Sequence, residues 1–242
     1  MLQAIVSDAN ISGSDDVLEI GAGAGTLTEE ISKKARKVVS YEIDKDLTQH
    51  LIELNLKNVQ FIFEDIMNEK IENIENKFND KYKIIANLPY YITTPIIFKF
   101  LNNSTKLQSL TIMVQKEVAE RIVAKEGKKD YGVLSVMIEF FGKAEITRIV
   151  GRKMFFPEPN VDSAVVRIDI NRDKYKNIDK LKFYNFIQAC FSMRRKTLKN
   201  NLQHCDMISK SKIELIPQNI LDLRAEMLSI DDFVALYLKI FE

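Results

Sequence analysis

The residues Asn87-Leu88-Pro89-Tyr90 put a neutral side-chain carbonyl, a proline-stiffened backbone and an aromatic face side by side. Asn87 accepts a hydrogen bond without carrying charge, Pro89 has no N–H to compete for acceptors, and Tyr90 offers a face for a flat ring. A second group with chemical potential is Glu19-Ile20-Gly21-Ala22-Gly23-Ala24-Gly25-Thr26, where glycines let the backbone turn tightly and approach a ligand closely. A third is Tyr41-Glu42-Ile43-Asp44, with Glu42 about twenty residues beyond the glycines. In doubly wound folds an acid so placed accepts hydrogen bonds from both hydroxyls of a ribose. The plain alternatives are a tight strand–helix turn, an Asn-Pro turn and a solvated carboxylate.

The glycine spacing decides between ligands. A dinucleotide fingerprint needs Gly at position 26, and this chain has Thr26. Gly21, Gly23 and Gly25, with Glu19 two residues before the first, resemble motif I of the class I methyltransferases. The resemblance implies S-adenosylmethionine as cofactor, held by Glu19, Gly21, Gly23, Gly25, Glu42, Asp65 and Asn87. Asp65, in Glu64-Asp65-Ile66 after the third strand, is expected to reach the cofactor's adenine amine.

Asn87 to Tyr90 resembles the [DNS]-x-P-[YFW] motif of enzymes that methylate exocyclic amines. The N6 lone pair of adenine is delocalised into its ring, so the amine needs positioning and electronic help more than a strong base. The Asn87 side chain and the Leu88 backbone carbonyl can accept its two N–H bonds, and such acceptors gain as positive charge develops. With Asn in place of Asp the first acceptor is neutral, which leaves proton removal to water. Tyr90 offers a face for the extruded base, a kind of stacking typically worth about 1–3 kcal/mol. In Met154-Phe155-Phe156-Pro157-Glu158-Pro159, the resemblance makes Phe155 the partner on the base's other face, with Phe156 a neighbouring candidate and two core phenylalanines the plain alternative.

These groups need a scaffold that brings strand ends together. Short β-branched runs at Val17–Ile20, Lys37–Tyr41, Val59–Phe63, Lys83–Ala86 and Leu110–Val114 alternate with helical patterns at Leu27–Lys34, Lys45–Leu56 and Pro95–Leu101. That alternation predicts an α/β, Rossmann-like, mostly parallel sheet. Val136–Phe141, Ala144–Val150 and Ala164–Ile170 read as an added antiparallel edge, and Glu69–Lys81 as a polar loop or frayed helix. Beyond residue 172 the pattern is helical: Leu181–Phe191, Thr197–Leu202, Ser209–Glu214 and Ser229–Phe241. The expected domains are 1–172, catalytic and cofactor-binding, and 173–242, small, all-helical and RNA-binding.

The chain has 242 residues, 46% hydrophobic and 29% charged, enough for one large domain plus a small one. Its formal charge is only +1, yet residues 171–201 hold nine basic side chains against Asp173 and Asp179, a local +7. Arg194, Arg195, Lys196 and Lys199 are the candidate RNA contacts, although a solvated face is the plain reading of such a run. Lys125–Lys129 is a weaker second candidate. Cys190 and Cys205 fit neither a disulfide framework nor a metal site, so reduced thiols and no metal are expected. No apolar run approaches a membrane span, and no signal peptide opens the chain; a cytoplasmic protein is expected.

Taken together, "EIGAGAGTLTEE", "YEID", "NLPYYITTPIIFKF", "VQKEVAERIVAKEGKKDYGVLSV", "FFPEPNVDSAVVRI" and "FSMRRKTLKNNL" resemble the KsgA/RsmA family of ribosomal RNA adenine dimethyltransferases. The resemblance implies N6,N6-dimethylation of two adjacent adenines near the 3′ end of small-subunit (16S) RNA, on a 30S assembly intermediate, by a monomer. Family members usually begin with a basic arm and a Q-N-F-L segment, whereas this chain begins at Met1-Leu2-Gln3-Ala4 inside its first helix. A shortened form or a more open site is expected, with weaker cofactor binding than in a full-length relative. The competing readings are a large-subunit methyltransferase of the erythromycin-resistance type, a non-catalytic assembly factor, and a DNA adenine methyltransferase.

Overall fold

The computed structural model describes residues 2–155, 158–205 and 207–241, except for the side chain of Tyr90. The described chain divides into two compact units, residues 1–119 with 143–171 and residues 120–142 with 172–242.

The first unit is built on a seven-stranded sheet. Its strands are β1 (Asp16–Ile20), β2 (Lys37–Tyr41), β3 (Val59–Ile62), β4 (Tyr82–Asn87), β5 (Leu107–Gln115), β6 (Gly142–Val150) and β7 (Ser163–Ile170), in the order β3-β2-β1-β4-β5-β7-β6. The first five are parallel, and β7 lies antiparallel to β5. All five residues of β1 are buried, as in a strand covered on both faces. Helices α1 (Leu2–Asp8), α2 (Thr26–Ser32), α3 (Thr48–Glu53), α4 (Ile71–Glu75) and α5 (Thr93–Asn103) accompany these strands. Ile5 and Val6 of α1 and Leu27 and Ile31 of α2 form one core cluster with Val17, Val38, Ile85, Met113 and Val165 from the sheet. Strand order reverses between β1 and β4, so the crevice beyond their carboxyl ends is where a ligand enters a sheet of this kind.

In Glu69–Lys81 the short α4 forms because Ile71 and Ile74 find cover. Buried Glu75 then accepts from the Thr105 and Lys106 amides, both at 2.9 Å, and from the Ser104 and Thr105 hydroxyls.

Two expectations are corrected. Val136–Phe141 is not an edge strand but part of a helix, α7 (Val133–Phe141), which follows α6 (Lys116–Val123). Seven of its nine residues are buried, so its apolar positions spread beyond the one-sided stripe that separates helix from strand by period. The expected first domain also loses Glu120–Gly142, which belongs with Arg172–Glu242. The reason is aromatic packing within the second unit. Phe140 of α7 stacks on Phe183 at 4.5 Å and Tyr175 at 5.2 Å, and Arg172 lies 5.1 Å from the Phe141 ring.

The remainder of the second unit is α8 (Lys180–Cys190), α9 (Leu198–Gln203), α10 (Lys210–Ile213), α11 (Gln218–Leu221) and α12 (Ile230–Phe241). Phe183, Phe186 and Phe233 are fully buried there. Cys190 and Cys205 are both free thiols. Among the described residues, no helix is long and apolar enough to cross a membrane.

Candidate active site

The glycine loop follows β1 directly, and β2 shapes it. The amides of Gly21 and Ala22 both donate to the carbonyl of Tyr41, at 2.8 and 3.2 Å. The amide of Gly23 donates to Oε2 of Glu42 at 2.7 Å, and Oε1 of Glu42 accepts from the Asp44 amide at 2.8 Å. Three loop amides are thus spent on protein acceptors, leaving them nothing to offer a pyrophosphate. Gly21 sits at φ +80°, a conformation that L side chains rarely adopt. A Cβ on Gly21 would lie 3.9 Å from the backbone oxygen of Asn87, so the loop and the end of β4 are immediate neighbours. Register explains it: Ala86 pairs with Ile20, so Gly21 and Asn87 are the next residues along the two neighbouring strands.

A cleft of about 340 Å³ opens here, within the range of small-molecule sites. Its walls are Gly21 and Gly23, residues 41–43, residues 64–67 and residues 87–89, with Tyr91 and Ile92. The cleft therefore brings together Gly21, Gly23, Glu42, Asp65, Asn87, Leu88 and Pro89. Pro89, at φ −55° and ψ 137°, leads into a 3-10 turn over Tyr90–Ile92. Leu88 is buried and Asn87 is exposed at the rim.

Asp65 is engaged by its own loop. Oδ1 accepts from the Met67 amide at 2.8 Å, and Oδ2 from the Asn68 side chain at 3.0 Å.

Other expected site residues lie elsewhere. Glu19 is fully buried and does not line the cleft; Oε2 accepts from Thr28 and Ser40, each at 2.6 Å. Its Oε1 has no hydrogen-bond partner among the described residues. Burial lifts its pKa to about 7, with the charge of Glu42 adding to the rise and the two hydroxyls opposing it. Gly25 packs instead of lining the cleft, since a Cβ there would stand 2.4 Å from Cδ1 of Leu54 and 3.0 Å from Cδ2 of Leu51. Phe155 is half-buried against the core cluster of α1, α2 and the sheet, outside the cleft lining. Phe156 and the side chain of Tyr90 lie outside the described residues.

A sulfonium nucleoside suits this cleft. The carboxylates of Glu42, Glu64 and Asp65 line it and favour a cation. Ile43 is 66% exposed beside them and lines the cleft, an apolar surface against which a flat ring can lie. Tyr91, 82% exposed, stands in the same cleft. Ile43 and Tyr91 were not singled out from the sequence, where neither residue type nor spacing marks them; their exposure at a cleft does.

A model of the ribosomal RNA adenine dimethylase family matches residues 1–240 of the chain. The chain belongs to this family. It is 39% identical over 244 residues to ribosomal RNA small subunit methyltransferase A of Clostridioides difficile (strain 630), covering 98% of this chain and 84% of that one. The protein of the same name from Clostridium botulinum (strain Loch Maree / Type A3) is 40% identical over 239 residues, covering 96% of this chain and 86% of its own length. The crystal structure of a dimethyladenosine transferase from Plasmodium falciparum superposes with TM-score 0.82 at 26% identity, covering 98% of this chain and 94% of that one. The 23S rRNA methyltransferase ErmE shares the fold, with TM-score 0.71 at 22% identity over 100% and 97% of the two chains.

In this chain the basic residues of the second unit form a shaped turn. Asn201 of α9 is 2% exposed; its Oδ1 accepts from the Met193 amide at 2.9 Å and the Ser192 hydroxyl at 3.2 Å. Its Nδ2 donates to the Cys190 carbonyl at 2.6 Å. The bonds fix the chain on either side of the bend from which Arg194, Arg195 and Lys196 project into solvent. Arg194 is 3.9 Å from Glu226, a distant and exposed ion pair of small energetic weight. Lys199 instead lines a groove of about 560 Å³ with Gln203, Lys210 and residues 213–218, which gathers no catalytic set.

Proposed function

We propose that this chain transfers methyl groups from S-adenosylmethionine to N6 of adenine in small-subunit ribosomal RNA, ending at N6,N6-dimethyladenosine on two adjacent adenines near the RNA 3′ end. The observation that carries the reading is the closeness of Asn87 to Gly21, which sets the amine-recognising turn against the cofactor loop. The names of the bacterial relatives, small subunit methyltransferase A, support the choice of RNA.

S-adenosylmethionine, when bound, supplies a methyl group already activated on a sulfonium. Glu42 has lone pairs left after its two backbone bonds, and these receive the ribose hydroxyls. Ile43 and Ile66 cover the purine, and Asp65 stands at its amine edge. Asn87 Oδ1 and the Leu88 carbonyl accept the two N–H bonds of the target amine and hold its lone pair toward the cofactor loop. Both acceptors strengthen their grip as the amine gains positive charge. Among the described residues of the Asn87–Ile92 turn there is no strong base, so the released proton leaves to water. Tyr90 and Phe155 are the aromatic partners we assign to the extruded base, Phe155 after release from the core cluster. Arg194, Arg195, Lys196 and Lys199 hold RNA phosphates. One chain carries both the cleft and the basic turn, so we read the enzyme as a monomer, acting in the cytoplasm on an assembly intermediate of the small subunit.

The test is to incubate the chain with S-adenosylmethionine and under-methylated small subunits, beside large subunits, and to detect N6,N6-dimethyladenosine by mass spectrometry. Product on the small subunit that vanishes with Asn87→Ala supports the proposal. Product on the large subunit alone, or subunit binding without product, overturns it.

A further inference from the structure

Lys99 lies in the second turn of α5, the helix that continues the Asn87–Ile92 turn. Its Nζ donates to the carbonyls of Met67 at 2.9 Å and Glu69 at 2.5 Å. Those carbonyls belong to the loop after β3 that carries Asp65. Within that loop the Asp65 carboxylate is turned onto Met67 and Asn68, and the Asn68 amide donates to the Asp65 carbonyl at 3.0 Å. These local bonds close the loop on itself without fixing it to the reaction turn. Buried Ile66 anchors its apolar side, and Lys99 reaches it from α5 on the polar side. The ammonium is half-buried; lost hydration lowers its pKa, opposed by the charges of Asp65 and Glu69.

We infer that Lys99 is a positioning residue for the purine end of the cofactor: it ties the Asp65 loop to the helix of the Asn87–Tyr90 turn and so fixes the separation of the two halves of the site. The inference rests on the cofactor reading above, and it assigns Lys99 no contact with cofactor or RNA. A charged donor bridging two carbonyls stabilises one loop position over its alternatives, and ligand affinity falls by the fraction of time the loop spends elsewhere.

The experiment titrates wild type, Lys99→Met and Lys99→Arg with S-adenosylhomocysteine and with methylthioadenosine, which has the purine nucleoside but no amino-acid tail. Thermal unfolding without ligand and methylation kinetics accompany the titrations. Lys99→Met is expected to bind both compounds about tenfold more weakly. Its KM for S-adenosylmethionine should rise in step while kcat stays within about twofold, and Lys99→Arg, with two donors on a fork, should recover most of the loss. Unchanged affinity overturns the inference, as does a loss confined to S-adenosylhomocysteine. A parallel fall in melting temperature and kcat that arginine does not restore also overturns it, since that marks a general prop. Failure of the wild type to bind either compound strikes the cofactor reading itself, whatever Lys99 does.

Discussion

The amide of Gly23 donates to the carboxylate of Glu42 at 2.7 Å, so the glycine loop after β1 and the acidic end of β2 form one hydrogen-bonded unit. Glu42→Gln retains the shape but puts an NH2 in place of one of the two oxygens that accept the Gly23 and Asp44 amides, setting donor against donor there. S-adenosylhomocysteine binding, measured by calorimetry, should weaken by about 1.5–3 kcal/mol, roughly ten- to a hundredfold. An unchanged Kd would remove Glu42 from the ribose site.

Asn87→Ala should lower kcat by about a hundred- to a thousandfold. Cofactor Kd should change far less, because the glycines, Glu42 and Asp65 remain in place. Single-turnover methylation beside a binding titration separates the two quantities.

Gly25→Ala should damage the fold more than the chemistry. At φ +79° its new methyl meets Leu54 at 2.4 Å, a combination of backbone strain and overpacking that costs about 1–3 kcal/mol. Urea unfolding should show that loss, and adding Leu54→Ala should recover the steric part of it. A double variant no more stable than Gly25→Ala would mean that Leu54 is not the obstacle.

Glu19 predicts a pH dependence of stability. Its folded pKa of about 7 lies above the ordinary 4.5, so between these values the folded state holds a proton that the unfolded state has released. Stability should therefore fall as pH rises from about 4.5 to 7 and level off above. The slope is at most about 1.4 kcal/mol per pH unit. Glu19→Gln should lack that component when unfolding free energies are compared across the range; identical profiles would refute it.

Asn201→Ala should loosen the basic turn while leaving its charges in the chain. Small-subunit affinity is expected to fall, with the slope against salt becoming shallower as phosphate contacts loosen. Alanine at Arg194, Arg195 and Lys196 together should take about two units from that slope. Filter binding across a salt series reads both variants.

The strand ends were readable because each combines a β-branched run with a change of residue type: Ile20 to Gly21, Tyr41 to Glu42, Ala86 to Asn87. The pattern could not tell a residue in the cleft from one beneath it. Glu19 and Gly25 share a motif with Gly21 and Gly23, yet one is sealed below the loop and the other packs on Leu54. Phe155 was assigned by resemblance and lies on the core cluster. Val136–Phe141 defeated periodicity because all of it but Glu139 is buried. Lys99 and Asn201 act through bonds to the backbone of other segments, and residue type alone does not mark such bonds.

The discontinuity of the second unit has a consequence for synthesis. Helix α7 is translated before β6 and β7, while Tyr175 and Phe183, which cover Phe140, come after both. During elongation this apolar helix must wait for its partners, the kind of interval in which a nascent chain is prone to aggregate. Nor does a single cut release the helical unit: a fragment from residue 173 onward leaves behind the α7 aromatics on which Tyr175 and Phe183 pack.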